Sequence, residues 1–363
     1  MGEGYTIEYD EKVRKECSNK TKEVLDQLPP YCTSFIMHKM DTTQPRTRQA
    51  YVEDIALFFS YLIATNPSLK NKSIKDIELS HLEQLNANDF DEYLAWLSEY
   101  EYHGKTYKNE RSSKKRKLAS LRTFFSFLYK RDFISQNTCA KADLPVVKKK
   151  DNRKIRILED YEKTLLFDEL DKEYEKAKEK YDNQETVSPA AQRKLALIQR
   201  DILIIKLILA TGVRVSEVCA MNCSDINFEL NRINIIRKGG EYDDVCFSDD
   251  IKDLLYDYIT DTRLVLQPNG QNEDALFISS KHSRISPRAI EQKVAKYTDA
   301  SLGSKNGITP HKLRATFGTN YYYMTNDIYA TKEVMGHSSV DVTAEYYAKQ
   351  GDSAKERMKD IIV

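Results

Sequence analysis

Apolar positions recur at helical spacing through most of the chain. Tyr51, Ile55, Phe58 and Leu62 fall on one helical face, as do Phe90, Leu94 and Leu97. An earlier helix is predicted over Asp10 to Leu28, stopped by Pro29-Pro30, since proline lacks the donor a helix interior needs. A third amphipathic helix is predicted over roughly Ser113 to Lys130, with Leu118, Leu121, Phe125 and Leu128 as its stripe. From Pro45 to about Lys141 the pattern reads as helical throughout.

Beyond Pro145 the charged run Lys148-Lys149-Lys150-Asp151-Asn152-Arg153-Lys154 reads as an exposed linker. A helix follows Leu158, and the charged stretch Asp171 to Gln184 reads as an insertion. A buried helix then spans Asp201 to Ala210. Arg232 to Ile236 and Asp244 to Phe247 read as strands around Lys238-Gly239-Gly240, a hairpin signal. Ala275 to Ile278 is a further strand candidate, and helices resume at Asp249 and Ser286. No internal repeat is evident. The expected fold is mainly α with a small antiparallel β-sheet (α+β). The expected division is a helical N-terminal extension (1–44), a helical domain (45–146), a basic linker (147–157) and a second domain (158–363).

Lys+Arg and Asp+Glu are equal at 56 each among 363 residues, which argues against indiscriminate coating of nucleic acid. It leaves a specific binder open, because affinity depends on where positive charge is placed. The third helix bears on this: Lys115, Arg116, Arg122 and Lys130 lie mostly off its apolar stripe, and Lys114, Lys115, Arg116 and Arg122 are its candidate DNA contacts. Such a face suits a DNA backbone, and a solvated lysine-rich surface is the plainer alternative. Lys105 to Lys117 contains one acid, Glu110, which favours nucleic acid, and the linker lysines suit crossing a phosphate backbone. The six cysteines lack CxxC spacing and the histidines form no ligand pattern, so reduced thiols, a cytoplasmic location and no metal are expected. The longest apolar run, Ile202 to Ala210, is too short to span a membrane.

Four short segments carry candidate chemistry. In Ala210-Thr-Gly-Val-Arg-Val-Ser-Glu-Val218 a buried helix stops at Gly212 and Arg214 opens the next. In Thr309-Pro310-His311-Lys312-Leu313-Arg314, Thr309 is a good N-cap and Pro310 suits the first helical position. His311 and Arg314 then share a face near a helix N-terminus, a plausible phosphate clamp. In Glu333-Val-Met-Gly-His-Ser338 the glycine ends a helix and His337 follows. The fourth segment is Val342-Thr-Ala-Glu-Tyr-Tyr347.

Taken in order, TGVRVSEV, HKLR, MGHSS and VTAEYY resemble the lambda-integrase and Xer-type tyrosine recombinases. The resemblance covers roughly Arg46 to Gln350 in architecture, with specific motifs only in the second domain. It implies a helical core DNA-binding domain (SAM-like) and a catalytic domain closing on DNA as a C-shaped clamp. It implies that Arg214 and Arg314 bind the scissile phosphate, with His311 and His337 beside them. Lys238 would be the mobile hairpin lysine and Tyr346, nine residues after His337, the nucleophile. Tyr347 competes, but Val340, Ala344, Tyr347 and Ala348 share an apolar face, which makes Tyr347 a packing residue. Here the turn is followed by acidic Glu241-Tyr242-Asp243-Asp244, where the family often carries basic residues.

The chemistry suits this set. Two guanidiniums stabilise charge developing on the non-bridging oxygens, as a metal does elsewhere. An imidazole assists removal of the tyrosine proton, and lysine protonates the leaving 5′-oxygen. The 3′-phosphotyrosyl product conserves the phosphodiester bond energy, so neither ATP, metal nor cofactor is required. The resemblance further implies a homo-tetramer on double-stranded recombination sites, a Holliday junction, and exchange of the C-terminal tail between subunits. Extra segments beyond a minimal Xer-type chain point to integration or excision of a mobile element. Two rival functions are a type IB topoisomerase, disfavoured by His311, and an inactive DNA-binding relative, disfavoured by the complete residue set.

Overall fold

A computed structural model describes residues 3–146, 156–183, 188–237, 240–270, 273–337, 339–340 and 343. The chain forms two compact units, Asp10–Asp151 and Asn152–Val363, the latter joined by Met1–Tyr9. The fold is mainly α with small antiparallel sheets, as the sequence predicts.

The first unit holds α1 (Glu3–Leu25) from Asp10 onward, α2 (Pro30–His38), α3 (Pro45–Thr65), α4 (Leu79–Glu83) and α5 (Ala87–Trp96). A hairpin of β1 (Tyr100–Tyr102) and β2 (Lys105–Tyr107) follows, then α6 (Arg111–Lys130). Prolines mark two of the starts: Pro30 and Pro45 occupy the first helical positions, where a missing N–H costs nothing. α5 opens with a reciprocal cap, in which the Asn86 side chain accepts from the Asn88 N–H (2.9 Å) while Asp89 accepts from the Asn86 N–H (2.7 Å). Aromatic rings fill the core, with Phe58 stacked on Phe90 at 5.5 Å and Phe35 edge-on to Phe124 at 5.3 Å. The segment set apart by sequence as an extension contributes Tyr31, Cys32, Phe35 and Ile36 to this core. The Tyr31 hydroxyl donates to the Ile77 carbonyl at 2.7 Å.

The hairpin departs from the expected unbroken helical run. Its turn, His103-Gly104, takes φ of +48° and +70°, matching the twist of the strands it joins. Tyr100 packs at a tilt against Trp96 (4.5 Å) and stacks on Tyr107 across the strands (5.5 Å). Aromatic packing between neighbouring strands decides the conformation here, and helical periodicity cannot register it.

One buried charge organises this unit. Asp54 on α3 is 1% exposed and accepts both terminal nitrogens of Arg116 (2.6 and 2.9 Å), the Ser120 hydroxyl (2.7 Å) and the Lys117 ammonium (3.3 Å). α3 and α6 are thereby cross-linked by a fork-to-carboxylate pair of the strong, directional kind.

The second unit holds α7 (Asp160–Asp182), α8 (Pro189–Thr211), α9 (Val215–Ala220), β3 (Ile226–Asn227), β4 (Arg232–Ile236) and β5 (Tyr242–Cys246). It continues through α10 (Asp249–Asp257), α11 (Arg263–Leu266), α12 (Pro287–Leu302), α13 (Pro310–Thr325) and α14 (Ile328–Met335). α8 is the hydrophobic axis, burying Ile204, Ile205, Leu207 and Ile208. The sheet runs β3-β4-β5, all antiparallel, with Ile233 opposite Val245 and Ile235 opposite Asp243. Asp171 onward continues α7, whose Leu166 and Leu170 lie in the core and whose Tyr174 and Ala177 pack against it. The charge that made this stretch stand out belongs to its solvent side. Ala275 to Ile278 is buried but forms only isolated bridges, Asn222 to Ala275 and Ile278 to Arg284. Among the described residues, no helix is long and apolar enough to cross a membrane.

Glycine closes two of these helices. α8 ends at Gly212 (φ +66°) and α14 at Gly336 (φ +56°), left-handed positions that an L side chain rarely adopts.

Replacing Asp54 by Ala should lower the stability of the N-terminal unit by about 2 kcal/mol, because Ser120 and the two cations lose their shared anion. Urea unfolding followed by tryptophan fluorescence reads this directly, since Trp96 is the chain's sole tryptophan. An unchanged midpoint would show that the buried pair adds nothing.

Candidate active site

The site is built around Glu217, a carboxylate only 5% exposed in the short helix α9. Arg214 is the N-cap of α9. Its backbone N–H donates to Glu217 Oε2 (2.7 Å) and its own Nη1 donates to Oε1 (2.7 Å), so one carboxylate fixes both ends of the residue. Arg237, at the end of β4, reaches the same Oε2 with Nη1 at 3.3 Å. Arg314 on α13 brings its Nη1 to within 3.9 Å of it.

The same three guanidiniums meet a second time, at the C-terminus of α14. Arg237 Nη2 donates to the Val334 carbonyl (3.1 Å), Arg314 Nη2 to the Met335 carbonyl, and Arg214 Nη2 to the Gly336 carbonyl (2.7 Å). Three consecutive carbonyls that the helix cannot satisfy are each taken by a different arginine. These carbonyls form the negative end of the helix dipole, which favours cations there. Arg314 Nη1 also donates to the Gly212 carbonyl at the end of α8, so this buried side chain (3% exposed) joins three helices. Arg214 keeps more of its side chain open, at 29%.

The histidines complete the cluster. His311 lies in the first turn of α13, at the surface, and His337 directly follows Gly336. His337 Nδ1 lies 3.0 Å from the buried hydroxyl of Thr343. Desolvation of its ring, then the positive charges of Arg314, Arg214, His311 and Arg237, lower the His337 pKa from 6.5 to about 4. His311 is lowered too, by desolvation and by Lys312, Arg314 and Arg214. Both imidazoles are therefore neutral near pH 7 and able to accept a proton.

Arg214, Arg314, His311 and His337, far apart in the sequence, thus occupy one electropositive locality. A group of this kind can hold an oxyanion with donors already oriented and base-competent imidazoles beside it. Lys238 and Tyr346, together with the competitor Tyr347, lie outside the described residues, as do Lys148, Lys149 and Lys150. Thr309 occupies the N-cap position of α13, but its side chain makes no capping bond; its carbonyl takes the N–H groups of Lys312 and Leu313.

The four basic residues on α6 differ in their surroundings. Lys115 is exposed, and the Lys114 ammonium donates to Ser98 Oγ at 2.6 Å. Arg116 is engaged by Asp54, with 54% of its side chain still exposed. Arg122 donates to the Ala140 and Ala142 carbonyls.

Sequence reasoning missed Glu217, Arg237 and Thr343. Glu217 had a legible signal, since a Glu three residues after an N-cap is a capping-box position. Arg237 stood out only as the neighbour of Lys238. The acidic residues after the turn are explained by their partners. Asp243 accepts from Arg237 Nε (2.7 Å), and Asp244 accepts from Arg232 across the strands (2.9 Å).

A family model described as the phage integrase family matches residues 164–353. The tyrosine recombinase XerS of Lactococcus lactis subsp. cremoris is 27% identical over 353 residues, covering 92% of this chain and 95% of that protein. XerS of Streptococcus mutans is also 27% identical, covering 93% of this chain and 97% of its own length. Among solved structures, the XerH site-specific recombinase bound to difH substrate superposes with a TM-score of 0.59 at 20% identity, covering 84% of this chain and 77% of that one. A lambda integrase dimer bound to a COC′ core site gives 0.58 at 16% identity, covering 91% and 96%. At these identities the structural likeness speaks for the fold.

The lowered His337 pKa has a definite linkage sign. Unfolded, the imidazole binds a proton as pH drops through 6.5, whereas the folded chain resists until about 4. Stability conferred by the neutral ring is thus present above pH 6.5 and lost as pH falls toward 4. His337→Gln should flatten the stability-against-pH curve across that interval, measured by chemical unfolding at successive pH values. An identical slope in the variant would rule out a depressed His337.

Proposed function

The chain belongs to the phage integrase family of tyrosine recombinases, and on that footing we propose how its residues carry out site-specific recombination. The observation that supports the mechanism best is the convergence of Arg214 and Arg314 on Glu217 with both histidines alongside. Arg214 and Arg314 grip the non-bridging oxygens of the scissile phosphate. Guanidiniums held by a carboxylate and by helix carbonyls require little reorganisation when charge develops on those oxygens.

Tyr346 is the nucleophile in this reading, attacking phosphorus to give a 3′-phosphotyrosyl bond and a free 5′-hydroxyl. Its phenolic proton passes to His311 or His337, which are neutral before DNA arrives. Lys238 supplies the proton for the departing 5′-oxygen. Rejoining reverses these steps, with the partner strand's 5′-hydroxyl attacking the phosphotyrosine, so no external energy source is needed.

On the same reading the two units grip one duplex as a clamp. The N-terminal unit (the core-binding domain) uses Lys114, Lys115, Arg116 and Arg122, and the linker uses Lys148, Lys149 and Lys150. Four copies assemble on two recombination sites and exchange strands in sequence through a Holliday junction, with C-terminal tails docking on neighbours. The protein works in the cytoplasm. Integration or excision of a mobile element was expected from chain length beyond a minimal Xer-type chain, but the XerS relatives align nearly end to end, so length lends that role no support.

Incubation with a nicked suicide duplex should trap covalent adduct with wild type and Tyr347→Phe but none with Tyr346→Phe. Loss confined to Tyr347→Phe would transfer the nucleophile to that residue. Absence of adduct from wild type, on a DNA site it binds, would sink the catalytic reading. Separately, Lys115→Gln should reduce the slope of log affinity against log salt by about 0.9 if its ammonium contacts a single phosphate. An unaltered slope would remove Lys115 from the interface.

A further inference from the structure

The family resemblance assigns Arg214 and Arg314 to the phosphate and gives the third guanidinium of the cluster no task. Arg237 is nevertheless fully committed. Its side chain is 6% exposed, with Nε on Asp243 (2.7 Å), Nη1 on Glu217 (3.3 Å) and Nη2 on the Val334 carbonyl (3.1 Å). Its backbone is tied as well: the N–H donates to the Glu241 carbonyl (2.8 Å), and its carbonyl accepts from Gly240 (3.1 Å). Each of its three guanidinium nitrogens therefore faces a different element: β5, α9 and α14.

The side chain also lies against Gly336. A β-carbon at that position would sit 2.7 Å from Arg237 Nε and 2.9 Å from Cζ. The guanidinium thus packs on the backbone of the residue that immediately precedes His337. The Val334 carbonyl it holds lies three residues before the same histidine.

We propose that Arg237 is a positioning residue for His337, clamping the end of α14 so that the imidazole is presented to the phosphate held by Arg214 and Arg314. The three arginines divide the work by their partners. Arg214, the most open, meets the substrate and can exchange its Gly336 carbonyl for a phosphate oxygen. Arg237, walled in by Asp243 and Glu217, keeps its carbonyl throughout, so the turn stays fixed when its neighbours change partners. A lysine could not replace it, because one ammonium cannot span three acceptors lying in different directions. The inference rests on the reading of His337 as part of the catalytic set.

The test is a double-mutant cycle on single-turnover cleavage of a nicked suicide duplex, with affinity for the same duplex measured in parallel. Arg237→Gln should leave affinity within about three-fold and slow cleavage by about thirty-fold or more, a split that a general loss of structure would not give. His337→Ala should slow cleavage comparably. Because Arg237 acts through the imidazole, the double variant should be no slower than His337→Ala alone. Multiplying losses in the double variant would overturn the proposal, as would an Arg237→Gln enzyme that cleaves at the wild-type rate. If His337→Ala alone cleaves normally, the failure lies in the role given to the histidine, and the proposal falls with it. Asp243→Asn guards against a misfolded Arg237 variant: it loosens the outer anchor while leaving the guanidinium buried. It should slow cleavage several-fold, and this loss too should vanish in the His337→Ala background.

Discussion

Three guanidiniums cannot be packed side by side in a protein interior without an anion between them. Glu217 is that anion. Like charges at close range in a medium of low polarity repel strongly, and the carboxylate turns the repulsion into a bound cluster. From this follows the placing of α9, whose first turn must aim Glu217 inward. The sheet edge is placed by it too, since the end of β4 must bring Arg237 to the same carboxylate.

The helix termini share the task. α8 and α14 end with carbonyls aimed at arginines, so the polar groups a helix cannot satisfy become the acceptors that orient the guanidinium donors. A phosphate entering this locality finds positive charge whose neighbours are already arranged. That is the condition under which electrostatic stabilisation of a transition state costs little at the moment of reaction. The N-terminal unit solves a similar problem on a smaller scale, with Asp54 gathering Arg116 and Lys117 between two helices.

Much of this was legible in the sequence, because it was written in local signals. Gly212 and Gly336 marked helix ends, the β4–β5 hairpin followed from a Gly-Gly between strand-like runs, and the ordered motifs picked out two of the clustered arginines and both histidines. What escaped was set by tertiary partners. Nothing in Tyr100 to Tyr107 announces a hairpin until Trp96 is seen packed against it. α7 reads as charged because its polar face dominates the composition, while Leu166 and Leu170 are two residues among many. The basic face of α6 looked uniform, yet Arg116 and Arg122 hold partners within the chain and Lys115 stands exposed. The acidic residues after the hairpin turn, a departure from the family pattern, supply counter-charge to Arg232 and Arg237.

The two glycines carry a consequence for how such a protein can change over time. At Gly212 the space a β-carbon would need is filled by the Phe317 ring; at Gly336 it is filled by the Arg237 guanidinium. Each position is therefore closed twice, once by its backbone angle and once by its neighbour. A single substitution at either corner meets both a strained backbone angle and an occupied space, so the glycine and its occupant are coupled. Change is accommodated more readily at the surface than at these two corners, where backbone and packing constrain the same residue.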